Sequence, residues 1–323
     1  MRERERGIDC SMTDRAAHPT ATDETNVPPP NVPAPITADQ RSQPLSWRRV
    51  FVTGAILFVA TAWVLLQTGN PNLYPTVVLL GSFLVPVTFV FLLYDHQHWS
   101  TLSFESIVRA FVYGGTLGIL GASALEPLLL PRIVGESGGG LGLTGALAVG
   151  AIEEGSKLVA VMLVARGMRH IGALDGLILG AAVGMGFAAL ESSGYAFTAL
   201  ITSGGDVIAS LQLTIIRAIL SPFGHGTWTA IAAAALFHES DERGYRITPL
   251  VVGAFVFVTV LHGIWDGLDI GAYLSVLDMP LSISVLIAGV VGIAVLVAAF
   301  RLCERQQGRV AAEGRLPAVG PFP

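Results

Sequence analysis

Glu153, Glu154 and Lys157 place three ionisable side chains within five residues, inside an apolar run that extends from 141 to 165. On an insertion scale a Lys or Asp at the centre of a membrane helix costs roughly 2.5–3.5 kcal/mol, whereas a Leu, Ile or Val returns only about 0.3–0.6 kcal/mol. With Glu treated like Asp, the three groups cost about 7–10 kcal/mol, against roughly 3–6 kcal/mol from the Leu, Ile and Val of the run. A helix of this kind does not cross a bilayer alone. Neighbouring helices or water must surround its carboxylates, and ionisable groups in such a place mark a functional site. Glu153 and Lys157 are spaced i,i+4 and Glu154 and Lys157 i,i+3, so the lysine is predicted to neutralise one glutamate and leave the other free to take a proton.

The rest of the chain supplies such neighbours. With 52% hydrophobic and 13% charged residues and a mean hydropathy of +0.63, it lies outside the range of soluble domains. Apolar runs long enough to span about 30 Å occupy 50–67, 76–94, 103–130, 141–165, 175–201, 207–237, 248–268 and 280–301. The expected fold is an all-α polytopic membrane protein of about eight transmembrane helices, with a membrane domain over 47–304. Arg48 and Arg49, Arg166 and Arg169, Arg243 and Arg246, and Arg301, Arg305 and Arg309 fall in alternate connections, and the others hold only Arg132. By the positive-inside rule both termini are expected to be cytoplasmic.

Residues 1–46 mix charge with Pro28, Pro29, Pro30, Pro33, Pro35 and Pro44, a composition predicted to form a disordered cytoplasmic tail. It has no apolar core of the signal-peptide kind before Trp47. Its removal is expected to leave activity intact. Residues 305–323 are expected to be a short cytoplasmic tail. Cys10 and Cys303 are too far apart in the chain to indicate a disulfide framework or a metal knuckle. No nucleic-acid partner is expected; the lipid bilayer is the one partner the composition requires.

The third and sixth runs are longer than a span needs, which predicts tilt, a break or a re-entrant part, and Pro222 removes a helix hydrogen bond in the middle of the sixth. Gly176, Gly180 and Gly184, continued by Ala188 and Ser192, form a small-residue stripe suited to close helix packing. Beyond the first cluster, the intramembrane polar residues are Glu191, Arg217, His225, His262 and Asp266. At about 1.5 Å per residue, Glu153, Glu191, His225 and His262 are all compatible with one layer near the midplane. His262 and Asp266 are i,i+4, so the carboxylate can orient the imidazole.

Several intramembrane chemistries lack their residues. There is no pair of histidines at i and i+4 with a glutamate between, as site-2 zinc proteases need, and no Gly-x-Ser-Gly nucleophile as in rhomboids. Tyr94-Asp95 and Ser203-Gly204-Gly205-Asp206 resemble presenilin-type aspartyl motifs, yet the first departs from the pattern and the expected topology puts the two aspartates on opposite sides.

Glu153-Glu154-x-x-Lys157, Gly184-Met185-Gly186-Phe187-Ala188-x-x-Glu191, His225-x-x-x-Thr229 and His262-Gly263-x-Trp265-Asp266, in that order over 141–268, resemble the PrsW family of intramembrane proteases, related to the CAAX prenyl endopeptidase/Abi clan. Ser192 stands where that family usually has Asn after the glutamate. The resemblance implies proteolysis of a membrane-anchored protein in the cytoplasmic membrane, such as an anti-sigma factor. Amide hydrolysis needs an activated water, an oxyanion stabiliser and an acid for the leaving amine. Glu153 or Glu154 is the candidate base, with Lys157 as electrostatic support, His225 and His262 as donors and Asp266 fixing a tautomer. A second version has Glu191, His225 and His262, with one of the paired glutamates, hold a divalent ion such as zinc that acidifies the water. The residues favour metal-independent glutamate chemistry, because no His-x-x-x-His turn preorganises a metal. The rival from another class is a proton- or cation-coupled transporter built on the same buried Glu, His and Lys.

Overall fold

The structure, a computed structural model, describes residues 46–134, 142–168, 172–240, 244–277 and 279–312, with side chains to residue 309. The expected tail over 1–46 lies almost wholly outside the described residues, as do Arg169 and Arg243. The chain is helical nearly throughout: α1 (Trp47–Thr68), α2 (Tyr74–His96), α3 (Phe104–Arg109), α4 (Gly115–Val134), α5 (Gly142–Ala165), α6 (Ala173–Thr202), α7 (Val207–Leu220), α8 (His225–Glu239), α9 (Pro249–Gly267) and α10 (Ile283–Ala312). Seven helical stretches among the described residues are long and apolar enough to cross a membrane. The eighth expected span is α5, which has the length but carries the three charges.

The two long runs are broken in different ways. Between α3 and α4, residues Ala110–Gly114 form a π-helical turn, where the Phe111 carbonyl meets α6 at Gly186. A Cβ on that glycine would lie 2.0 Å from the oxygen. At Pro222 the sixth run splits into α7, a 3₁₀ turn (Ser221–Phe223) and α8. Thr227 Oγ1 donates to the Pro222 carbonyl, which satisfies one acceptor that the missing helix bonds leave open.

At the centre lies α6, with 89% of its most apolar window buried. Its glycine stripe packs on α8: a Cβ on Gly180 would lie 2.5 Å from the Thr229 carbonyl oxygen and one on Gly184 2.3 Å from that of His225. The expected close packing is therefore present, and it brings the two backbones together where α8 begins. Likewise Gly150 lets α9 approach α5 beside His262, and Gly118 lets α4 approach Lys157.

Three features lie outside the expectation. β1 (Tyr273–Val276) and β2 (Met279–Ser282) form an antiparallel hairpin after α9. The final helix runs on to Ala312, through the first part of the segment expected as a tail. Asp175, at the start of α6, is buried and accepts hydrogen bonds from Ser100 Oγ, Thr101 N and Thr101 Oγ1, so it locks the α2–α3 connection. The presenilin-like aspartates are equally local: Asp95 accepts from Trp47 N, and Asp206 caps α7 by accepting from Ile208 N and Ala209 N.

Candidate active site

Four helices converge on Lys157, which is buried with both glutamates. Its Nζ donates to Glu153 Oε2 at 2.9 Å, to Glu154 Oε1 at 2.9 Å and to His225 Nδ1 at 2.8 Å, and it lies 3.8 Å from the Phe187 ring centroid. The prediction that lysine neutralises one glutamate and frees the other is thus corrected. An ammonium has three protons and can serve three acceptors, and the first turn of α8 brings the third.

Because Lys157 is donor-only, His225 Nδ1 accepts, and the ring proton belongs on Nε2. That atom lies 3.0 Å from Glu191 Oε2. Glu191 also accepts from Arg217 Nη2 at 2.8 Å, while Arg217 Nε donates to Ser192 Oγ at 3.3 Å. Ser192 therefore holds the arginine that holds Glu191. His262 is enclosed: Nδ1 lies 3.2 Å from Glu154 Oε1 and Nε2 3.1 Å from Asp266 Oδ2. With a carboxylate on each ring nitrogen it can donate from both sides. Trp228 stacks on it at 4.7 Å between ring centroids.

The two glutamates are not equivalent. Glu154 has a fully buried side chain and uses both oxygens, Oε1 toward Lys157 and His262 and Oε2 toward Thr229 Oγ1 at 3.0 Å. Glu153 retains 8% side-chain exposure, and its Oε1 has no hydrogen bond among the described residues.

All seven residues singled out from the sequence, Glu153, Glu154, Lys157, Glu191, His225, His262 and Asp266, belong to one connected network. The ligand set named for a metal differs from what converges: Glu153, Glu154, His225 and His262 offer ligand atoms within 4.8 Å of one another, whereas Glu191 turns to Arg217. Two carboxylates and two imidazoles are a donor set that suits zinc. Lys157 Nζ shares that space and has to withdraw for an ion to enter. Sequence reasoning missed Glu126. It continues the inward stripe of Gly115, Gly118 and Ala122 on α4, and its carboxylate lies in the field of Glu153, Glu191, Lys157 and His262. Its one signal in the sequence was a glutamate near the outer end of the third apolar run.

A bundle of membrane-length helices around buried acids, imidazoles and one lysine defines a multi-pass membrane protein with an acid–base centre inside it. The family model described as PrsW family intramembrane metalloprotease matches residues 103–300, and the chain belongs to that family of intramembrane proteases. The match is wider than the motif core and takes in α4, with Glu126, and the hairpin. No curated protein and no solved structure matches the chain.

Proposed function

We propose that this protein is an endopeptidase of the cytoplasmic membrane, with both termini in the cytoplasm, and that it uses Glu153 to activate the water that cuts a membrane-anchored protein such as an anti-sigma factor. The observation that carries the reading is the inequality of the paired glutamates. Glu154 is saturated by three donors and holds Lys157, Thr229 and His262 in place; Glu153 keeps an oxygen free beside the same lysine.

Glu153 takes a proton from water as the oxygen attacks the scissile carbonyl carbon, then passes that proton to the amide nitrogen as the carbon–nitrogen bond breaks. Lys157 disperses the carboxylate charge before and after transfer. The oxyanion is met by N–H groups of His225 and His262, which exchange their Glu191 and Asp266 partners for it; Glu191 stays near to keep the proton on His225 Nε2, and Asp266 to hold the His262 ring in place. Arg217 holds Glu191 aside during that exchange.

Glu153→Gln is expected to insert and melt as the wild type does, and to lose cleavage by a factor of about 10²–10⁴, the usual contribution of a general base. Glu154→Gln is expected to lose activity and also thermal stability, because it weakens a network of three donors. The assay is cleavage of membrane-anchored proteins by the reconstituted enzyme, with new termini mapped by mass spectrometry. Wild-type turnover by Glu153→Gln would sink the mechanism.

The convergence of four donors supports a second reading, in which Glu153, Glu154, His225 and His262 hold a divalent ion. Bound there, such an ion would lower the pKa of water. The expected outcome is that chelation leaves both cleavage and melting temperature unchanged. Near-stoichiometric zinc in protein purified without metal-affinity resin, with cleavage lost on extraction and regained on re-addition, would establish the second reading instead.

A further inference from the structure

The hairpin after α9 leaves the outer edge of β1 open among the described residues. Its register pairs Tyr273 with Ser282, Leu274 with Leu281, Ser275 with Pro280 and Val276 with Met279. Just below it, Ile283 N donates to the Ala272 carbonyl at 2.9 Å, which sets the phase of the ladder. Bonded and non-bonded pairs alternate in an antiparallel ribbon, so 274/281 and 276/279 bond inward, and the backbone groups of Tyr273, Ser275, Pro280 and Ser282 point outward. Pro280 has no N–H and blunts the β2 edge. On β1, the N–H and C=O of Tyr273 and Ser275 have no backbone partner among the described residues. The β1 side chains are exposed and three of the four are apolar or aromatic.

The hairpin joins α9, whose last turn carries His262 and Asp266, to α10. Tyr273 follows Asp266 by seven residues, and its hydroxyl donates to Asp269 Oδ2, while Ser284 Oγ donates to the Leu268 carbonyl at the end of α9. From the hairpin α10 descends onto the turn that begins α8, with Gly289 against Phe223 and Gly292 against Thr227. A peptide bond in a helix has its carbonyl engaged and its carbon shielded, so hydrolysis needs an extended substrate. Strand addition at an exposed sheet edge supplies that conformation, and a two-stranded ribbon is marginal by itself.

We propose that the outer edge of β1 binds, as a third strand, the apolar segment of the membrane-anchored substrate beside the scissile bond, drawing it out of helical form next to His262 and Asp266. This rests on the protease reading above.

The test uses the full chain in liposomes and, as probe, a single-spanning protein whose new terminus was mapped in the cleavage assay. Ser275→Pro removes the outward N–H of β1, and Ser282→Pro makes the same chemical change on the opposite edge. Ser275→Pro is expected to lower kcat/KM about tenfold, the value of one backbone hydrogen bond, with Ser282→Pro at the wild-type rate and both melting normally. Equal rates for the two variants, whether reduced or not, would overturn the proposal while wild-type cleavage left the protease reading standing. Should Ser275→Pro fail to insert, disulfide trapping decides. In a Glu153→Gln chain carrying Cys10→Ser and Cys303→Ala, Ser275→Cys is expected to cross-link to probe cysteines at alternate positions flanking the cut. Absence of cross-links, or equal cross-linking from Ser282→Cys, would overturn it too.

Discussion

Helices α1 and α6 are both apolar and both long enough to cross a bilayer, yet 6% of the most apolar window is buried in α1 and 89% in α6. Apolar character therefore does not distinguish the inside of this protein from its outside, because lipid and core are alike to a Leu or Val. What separates the two helices is side-chain size. In α1, Phe51, Ile56, Val59 and Trp63 face outward, whereas α6 turns glycine and alanine to its neighbours. The small residues bring backbones together, and the backbones brought together are those that carry Glu191 and His225.

The comparison fails at its strongest point if the centre tolerates losing its cation. Lys157→Met leaves two buried glutamates facing each other, and breaking a buried pair costs about 3–5 kcal/mol. Thermal unfolding in detergent is expected to show that loss together with abolished cleavage; a wild-type melting temperature would mean that water already screens the cluster. Next is Gly184→Ala. Overpacking costs roughly 1–3 kcal/mol, and here the new methyl meets the His225 carbonyl, not the yielding end of a side chain. A lower melting temperature is expected, with cleavage reduced at least tenfold as His225 shifts away from Lys157 and Glu191. Gly194, on the same helix, has nothing within 4 Å of its would-be Cβ, so Gly194→Ala should gain up to about 1 kcal/mol of helix stability and leave cleavage alone. If the two glycine variants behave alike, close packing does not position the site. The smallest effect belongs to α1: Trp63→Ala, at an outward position, is expected to stay within about 0.5 kcal/mol of the wild type at an unchanged rate.

Much of the site could be read before any fold was known. Three charges in one apolar run have no other use than a shared, enclosed centre, and Pro222 in a run too long for one span broke its helix. The i,i+4 step from His262 to Asp266 placed imidazole and carboxylate side by side. Glu126 shows the limit. Its value comes from facing α5, and its linear surroundings look like those of any lipid-facing stretch ending in proline. The hairpin was hidden for a related reason, since Tyr273 to Ser282 reads as a loop until the two strands find their register.

The sequence by itself determined that this chain is a polytopic membrane protein and that ionisable residues fall inside the apolar runs that become α5, α6, α8 and α9, because those facts follow from hydropathy, helical period and the cost of charge in lipid. Only the tertiary structure decided that Lys157 serves both glutamates and His225, that Glu191 belongs to Arg217, and that Glu153 keeps a free oxygen where Glu154 has none. Each of these depends on the rotation and depth of one helix against another. At about 100° and 1.5 Å per residue, an offset of a single residue redirects a side chain to a different neighbour, and the backbone contacts at glycine that fix the offset are made between segments far apart in the chain.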